Sequence, residues 1–175
     1  LHSHRQEPWS FGKNALSMVR NSIELRYRLI HYFYLYAKKA SESGIPIVRP
    51  LWYQMNLAGK AEDDSVFFVG QDILVAPILE KGIRKVGVSF PEGGWYHYYT
   101  GEYFAGDAFY SIPAPLGKLQ LFIRAGTALP MTTIAENTES SLRNSFSMEI
   151  FPGSKIGGMV ILDDGVSDSG KYWLL

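Results

Sequence analysis

The sequence predicts a mainly β protein in which one long N-terminal helix is followed by an antiparallel β-sandwich and by the start of a second β domain. Three observations predict this order. Residues 13–43 carry apolar side chains at spacings of three and four, which is the period of a helix. After Gly44 the apolar runs become short, and each is closed by Gly, Pro, Asp or Asn. A polar stretch at 132–144 then separates the last runs from the others.

The helix predicted over residues 13–43 has a possible N-cap at Asn14 and ends at Gly44 and Pro46. Its apolar stripe consists of Leu16, Val19, Ile23, Tyr27, Ile30, Tyr34 and Ala37. A second face is also apolar and aromatic, and it consists of Leu29, Tyr32, Phe33 and Tyr36. A helix of this length with two apolar faces predicts a large neighbour that packs against it.

Short strands are predicted at 47–55, 66–69, 73–79, 84–90, 95–99, 109–112, 120–124, 145–151 and 158–162. Residues 85–90 alternate cleanly between the two faces of a half-buried strand, and residues 91–94 have the composition of a turn. Many short strands without helices between them are typical of an antiparallel sandwich.

The polar stretch at 132–144 is rich in Thr, Ser, Asn and Glu, and we expect it to link two β units. The final run, residues 172–175, resembles the interior of a strand, and the chain opens on Leu1 rather than Met. We therefore expect a segment of a longer polypeptide. The alternative is a processed chain whose termini are tightly docked.

The composition provides for a core and excludes several kinds of site. Of the 175 residues, 46 % are apolar and 19 % are charged, which disfavours disorder and coiled coil. Seventeen basic residues balance 17 acidic residues, so we expect neither nucleic acid nor a membrane surface as a partner. No apolar run reaches the ~20 residues that span a bilayer. The lack of cysteine excludes disulfides, thiolate metal sites and a cysteine nucleophile.

Four histidines are the first candidates for chemistry. His31 in the helix and His97 in an aromatic run are expected to be structural. His2 and His4 are spaced as two metal ligands could be, but no third ligand follows nearby, so no metal is expected. An imidazole can instead exchange hydrogen bonds with the hydroxyl groups of a sugar.

Two acidic pairs, Asp63-Asp64 and Asp163-Asp164, are the next candidates. Neighbours on a strand face opposite sides, whereas glycoside cleavage needs two carboxyl groups that converge on one bond. We therefore expect both pairs to be turn residues. The pattern alone contains no nucleophile elbow, phosphate loop or dinucleotide fingerprint, and so no complete active site.

A series of motifs, in order along nearly the whole chain, resembles the C-terminal part of glycoside hydrolase family 31, the family of α-glucosidases and α-xylosidases. The motifs are Leu1-His2-Ser3, Glu7-Pro8-Trp9-Ser10-Phe11-Gly12, Leu25-Arg26-Tyr27-Arg28-Leu29-Ile30, Gly44-Ile45-Pro46-Ile47-Val48-Arg49-Pro50-Leu51, the run 69–82, Pro91-Glu92-Gly93-Gly94-Trp95-Tyr96, Phe122-Ile123-Arg124-Ala125-Gly126 and Asp163-Asp164-Gly165 with Tyr172. Each motif is weak by itself, and the ordered series is specific.

The resemblance implies a division of the chain into three parts. Residues 1–46 would be the last loop and helix of a catalytic (β/α)₈ barrel, whose active site lies at the C-terminal ends of its strands. Residues 47–132 would be the proximal C-terminal β-sandwich, and residues 133–175 the start of a distal β domain. The family cleaves α-glycosidic bonds with retention, using one Asp as nucleophile and another as acid and base. Both would lie upstream of Leu1, so this segment alone is expected to be inactive.

The resemblance implies one substrate-binding residue, His2, whose counterpart in the family hydrogen-bonds hydroxyl groups of the sugar. One alternative is that His4 makes this contact, and another is a loop histidine without substrate contact. Glu7 and Trp9 are expected to shape the loop and cap the helix. Arg49 and Arg124 are expected to be structural, binding carboxylates or carbonyl groups.

Two hypotheses about function follow. The first is the C-terminal segment of a retaining α-glycosidase, most simply an α-glucosidase, whose partners are an α-glucoside or oligosaccharide substrate and the upstream barrel of the same polypeptide, with no cofactor. The second is a non-catalytic β-sandwich module that binds carbohydrate or a protein partner. The second rests on aromatic side chains, including Trp52, Trp95 and Trp173, which either stack on sugars or fill the core.

Overall fold

The computed structural model describes residues 5–54, 66–164 and 170–174. A 3₁₀ turn (Pro8–Phe11) precedes the helices α1 (Lys13–Arg28), α2 (Ile30–Ser43), α3 (Leu51–Gln54) and α4 (Thr138–Arg143). The strands are β1 (Val48–Pro50), β2 (Phe67–Val69), β3 (Ile73–Ala76), β4 (Lys85–Phe90), β5 (Gly94–His97), β6 (Tyr103–Ala105), β7 (Ala108–Pro113), β8 (Gln120–Arg124), β9 (Ala128–Thr132), β10 (Phe146–Ile150), β11 (Met159–Leu162) and β12 (Lys171–Leu174). The predicted mainly β fold with a helical N-terminus is confirmed.

A six-stranded antiparallel sheet, ordered β1-β2-β3-β8-β5-β6, forms the centre of the fold. The antiparallel pair β4–β7 covers one face of this sheet. Between the two layers lies an aromatic core around Phe90, whose ring centroid is 4.9 Å from that of Phe122 and 5.2 Å from that of Phe104. The predicted antiparallel sandwich is therefore confirmed.

The opposite face of the large sheet packs against α2. Successive side chains of a strand point to opposite faces. In β3, Leu74 and Ala76 therefore enter the aromatic core, while Ile73 and Val75 contact the helix layer. The buried apolar residues of the helix layer are Leu29, Tyr32, Leu35 and Tyr36. Both faces of the central strands are covered, which explains their unbroken apolar sequence.

The helix predicted over 13–43 is interrupted at Leu29, where φ is −85° and ψ is 12°. Hydrogen bonds continue past the interruption, because the Leu29 N–H donates to Leu25 and its carbonyl accepts from the Phe33 N–H, both at 3.0 Å. Gly12, not Asn14, is the N-cap, so the predicted cap was wrong. The predicted end is confirmed: Gly44 adopts φ 72°, the left-handed conformation in which glycine ends helices.

The two predicted apolar faces of the helix differ in how deeply they are buried. The aromatic face packs on the sheet, and Tyr32 and Tyr36 are each only 3 % exposed. Within the main stripe, Val19 is 36 % and Ile23 is 49 % exposed, whereas Tyr34 packs against the helix layer. No residue of α1 is fully buried. A helix that is apolar on both sides and covered on one has a second side suited to packing.

The polar stretch at 132–144 contains a helix that the sequence analysis did not predict. Asn137 caps α4 by accepting a hydrogen bond from the Ser140 N–H at 2.8 Å. Ser141 is fully buried, and its carbonyl accepts a hydrogen bond from Thr132 Oγ1 at 3.0 Å. Strands β9 and β10, on either side of this stretch, pair with each other. These tertiary contacts stabilise a helix too short and polar to show an apolar period.

Other differences concern strand limits. The strand predicted at 47–55 ends at Pro50 and continues as the helical turn α3. Strand β9 was not predicted because Pro130 lies within it, and proline is uncommon in central strands. Strand β6, three residues long, was also missed. Within the described ranges, no helix is long and apolar enough to cross a bilayer.

Candidate functional site

The residue predicted to bind substrate, His2, lies outside the described residues, as do His4 and the pair Asp63-Asp64. The loop that follows His4 is described from Arg5 onward. Ser10 Oγ donates a hydrogen bond to the Glu7 carbonyl at 2.7 Å and so closes the 3₁₀ turn. Glu7 is the N-cap residue of this turn without a side-chain hydrogen bond, and α1 begins at Gly12 without a side-chain cap, so the predicted capping of the helix was wrong. The Trp9 side chain is 65 % exposed.

The two arginines hold loops together by binding carbonyl groups, as predicted. Arg49 is buried and donates from Nε to the Pro46 carbonyl at 2.6 Å. Arg124 donates to the carbonyls of Gln71 and Glu92, at 3.4 and 3.3 Å. Its guanidinium lies 4.5 Å from the ring centroid of Trp95, which is fully buried.

His97 is a structural histidine, as predicted. It is buried in β5, where its Nδ1 accepts a hydrogen bond from the Thr100 N–H at 3.2 Å. Its Nε2 therefore carries the proton and donates to Gln120 Oε1 at 3.1 Å. Every polar atom of this imidazole is used within the fold.

His31 is also buried, but its environment is different. The side chain is 2 % exposed, and its ring centroid lies 5.0 Å from that of Phe146. Neither ring nitrogen has a hydrogen-bond partner among the described residues. Burial lowers the pKa of His31, so the imidazole is neutral at neutral pH.

A partly buried carboxylate, Asp72, lies between the helix and the sheet and was not singled out from the sequence. The Tyr36 hydroxyl donates to its Oδ2 at 3.2 Å. The Tyr32 hydroxyl accepts from the Asp72 N–H at 3.2 Å and donates to the Val69 carbonyl at 2.9 Å. Burial raises the pKa of Asp72, although Tyr36 and the charge of Arg124 partly oppose this shift. An acid within the apolar run 66–79 was the signal available in the sequence.

Gly70 allows this cluster to form. It has φ +65°, and a Cβ at this position would lie 2.4 Å from both the Tyr32 hydroxyl oxygen and Tyr36 Cε2. Only a residue without a side chain lets the two phenols approach the turn between β2 and β3. The cluster therefore attaches α2 to the sandwich at one fixed position.

Several cavities flank the helices. An open apolar groove of about 890 Å³ lies between α1 and the loops at 78–84 and 114–119, where Leu79 and Leu116 are 76 % and 71 % exposed. A more polar cavity of about 610 Å³ lies between α2, α4 and the end of β11. Asp163 lines this cavity and accepts a hydrogen bond from the Tyr34 hydroxyl at 2.5 Å.

A metal centre finds no support in the part of the chain that the structure describes. No group of three His, Asp or Glu side chains converges there. The carboxylates of Glu149 and Glu139 are engaged by Arg28 and Arg143, at 2.7 and 2.8 Å.

Comparison with known protein families matches the chain in two parts. Residues 1–36 match the family model of the glycosyl hydrolases family 31 TIM-barrel domain, and residues 44–129 match that of the glycosyl hydrolase family 31 C-terminal domain. The chain belongs to glycoside hydrolase family 31. The two matches follow each other in the order that the motif series predicts.

Individual members of family 31 agree with this result. The chain is 33 % identical over 141 residues to alpha-glucosidase 2 of Bacillus thermoamyloliquefaciens, covering 77 % of this chain and 17 % of that protein. It is 33 % identical over 181 residues to a 1,6-alpha-glucosyltransferase of Sporosarcina globispora, covering 98 % of this chain and 14 % of that protein. A Flavobacterium johnsoniae family 31 dextranase superposes with a TM-score of 0.89 at 30 % identity, covering 95 % of this chain and 21 % of that one. The chain thus spans about a fifth or less of the length of these relatives.

Proposed function

We propose that the chain is the C-terminal part of a retaining α-glycosidase of the α-glucosidase type. One observation supports this most strongly: a single chain of 175 residues matches the barrel domain and then the C-terminal domain of one glycosidase family. Its relatives act, by their names, as an α-glucosidase, an α-glucosyltransferase and a dextranase. We assign residues 1–46 to the barrel, 47–132 to the proximal sandwich and 133–175 to the distal β domain.

The exposed apolar residues of α1 support the assignment of this helix pair to a barrel. A (β/α)₈ barrel needs eight strands and eight helices, so residues 1–46 can supply only a final loop and helix. In such a barrel the helix lies between the strands and a surrounding domain. Here α2 packs on the sandwich, whereas Val19 and Ile23 remain exposed on the side of α1 that lines the groove beside the loops at 78–84 and 114–119. We propose that upstream barrel residues cover that side.

In this proposal the segment orients the substrate and does not cleave it. Retention requires a nucleophilic carboxylate and an acid–base carboxylate about 5–5.5 Å apart, and we place both upstream of Leu1. His2 supplies a hydrogen bond to one sugar hydroxyl and so favours sugars that carry that hydroxyl. The sandwich supports the barrel through the Tyr32, Tyr36 and Asp72 cluster.

The proposal is tested by expressing the full reading frame and following the cleavage of p-nitrophenyl α-glucoside by NMR. The expected first product is the α-anomer of glucose, because two inversions at the anomeric carbon retain its configuration. His2→Ala should lower kcat/KM about tenfold, the effect of one lost hydrogen bond to substrate. If His4 makes the contact, His4→Ala has this effect instead. Absence of α-glucoside cleavage, or release of the β-anomer, contradicts the proposal.

The alternative, a carbohydrate-binding module without catalysis, has one observation in its favour. The side chains of Trp52 and Trp173 are 51 % and 53 % exposed and could stack on sugars, whereas Trp95 fills the core. Titration of residues 1–175 with maltose and longer α-glucans distinguishes the two functions. Saturable binding without the upstream chain favours the module, and flat titrations remove it.

A further inference from the structure

The α2–α4 cavity, the cavity of about 610 Å³ lined among others by His31, Tyr34, Glu139, Arg143, Asp163 and Asp164, has no part in the function proposed above. Its volume lies in the range of cavities that bind small molecules. Leu142 and Ile161 add apolar surface to its lining. The cavity thus combines a few polar groups with apolar walls, which is the usual composition of a ligand site.

His31 is a residue of the cavity lining whose two ring nitrogens have no hydrogen-bond partner among the described residues. Buried polar atoms are nearly always paired, and an unpaired one calls for a specific explanation. His31 is 2 % exposed and lines the cavity, and both of its nitrogens lack partners in the described part of the chain. A neutral imidazole offers one donor and one acceptor. A hydroxyl group, which can either donate or accept, matches either nitrogen.

The walls of the cavity are held in place before any ligand binds. On one side, α4 is anchored to β9 by buried Ser141, whose carbonyl accepts a hydrogen bond from Thr132 Oγ1 at 3.0 Å. On the other side, the Tyr34 hydroxyl binds Asp163 at the end of β11. At the rim, Arg143 pairs with Glu139 at 2.8 Å. A site on fixed elements loses little conformational freedom on binding.

The charges around the cavity select the class of ligand. Three carboxylates, Glu139, Asp163 and Asp164, outnumber one guanidinium, so an anion is disfavoured. In the described ranges no three side chains converge as they would around a metal ion. Carboxylates and a guanidinium are complementary to the hydroxyl groups of a neutral sugar, which donate and accept hydrogen bonds.

We propose that the α2–α4 cavity binds one sugar unit of an α-glucan, with His31, Arg143 and Asp164 contacting its hydroxyl groups. The class of sugar rests on the function proposed above, because the relatives of the chain include, by their names, an α-glucosidase and a dextranase. Binding here would hold a long glucan on the enzyme.

The test is affinity electrophoresis of the full polypeptide through gels that contain soluble starch or dextran. The wild type should be retarded by at least one of the two glucans. His31→Leu should weaken the apparent affinity about threefold to tenfold, and His31→Gln, which keeps a donor and an acceptor, should restore most of it. Arg143→Gln should also weaken binding. Lys155→Gln, which removes a positive charge from an exposed loop elsewhere, is the matched control and should bind like the wild type.

The outcomes separate this proposal from the proposed function. Wild-type mobility unaffected by either glucan, with p-nitrophenyl α-glucoside still hydrolysed, overturns the sugar site alone. No hydrolysis of that glucoside overturns the proposed function. Equal retardation of wild type, His31→Leu and Arg143→Gln also overturns the site. If His31→Leu lowers the melting temperature, the retardation of Arg143→Gln decides whether the site binds glucan. The Arg143 side chain is 73 % exposed, so we expect its replacement to leave the fold intact.

Discussion

Replacing Gly70 by alanine should detach α2 from the sandwich. The new Cβ would lie 2.4 Å from the Tyr32 hydroxyl oxygen and 2.4 Å from Tyr36 Cε2, far inside contact distance. Gly101→Ala is the matched control, because Gly101 has φ +71° against +65° at Gly70, and no atom lies within 4 Å of its Cβ position. Both variants carry the same backbone strain, of about 1–2 kcal/mol.

The difference between the two variants measures the packing of the tyrosines. Overpacking costs about 1–3 kcal/mol, and loss of a hydrogen bond to a charged group, here from Tyr36 to Asp72, costs about 1.5–3 kcal/mol. We therefore expect Gly70→Ala to be about 3–5 kcal/mol less stable than Gly101→Ala at this junction. That difference corresponds to an equilibrium constant for local opening that is roughly a hundredfold to several-thousandfold larger.

Hydrogen exchange of the full polypeptide, resolved to peptides that cover α2, measures this local opening free energy. The α2 peptides should lose protection in Gly70→Ala and keep it in Gly101→Ala. Equal protection of α2 in the two variants would refute the reasoning, because backbone strain alone would then account for the effect of the substitution.

Three further predictions concern the helix pair and its neighbours. Asp72→Leu should lower the free energy of unfolding by about 1–3 kcal/mol, because it leaves the Tyr36 hydroxyl without an acceptor. Asp72→Asn keeps an acceptor and removes a charge from a partly buried site, so it should cost under about 1 kcal/mol. Thermal unfolding of the full polypeptide checks both values. Burial lowers the pKa of His31 below 6.5, so the unfolded chain binds the proton more tightly than the folded chain. The contribution of His31 to stability is therefore complete above pH about 6.5 and is lost as the pH falls below it. The melting temperature should depend less steeply on pH between 7.5 and 5 in His31→Leu than in the wild type, and an equal dependence counts against this. Residues 1–175 alone should self-associate through the exposed side chains of Val19 and Ile23, and the double variant Val19→Lys, Ile23→Lys should be monomeric. Sedimentation that shows a monomer without these substitutions contradicts this prediction.

Much of the fold could be predicted because most of its elements carry their own periodicity. The helix between residues 13 and 43 and strands such as β4 were found from their spacing. Periodicity could not show which apolar face of the helix the sandwich buries, since both faces are apolar. The interruption at Leu29 has no proline or glycine to mark it. Helix α4 depends on the buried hydrogen bonds of Ser141, which only the tertiary structure provides.

The candidate site could be predicted only in part. His2 was proposed from the motif resemblance, because a lone histidine in a loop has no pattern of its own. Asp72 escaped notice because one acid in an apolar run has the appearance of a turn residue. Its burial depends on two tyrosines some 40 residues away, which α2 brings to it. Similarly, no sequence pattern could show that both nitrogens of His31 would be buried without partners.

We propose that these residues complete an α-glucosidase whose cleaving carboxylates lie elsewhere in the same polypeptide. The most direct measurement compares p-nitrophenyl α-glucoside hydrolysis by the full polypeptide and by residues 1–175 alone, at equal concentration. Turnover is expected from the full polypeptide, and none from the segment. Turnover by the segment alone, or a full polypeptide that is inert towards every α-glucoside, would contradict it.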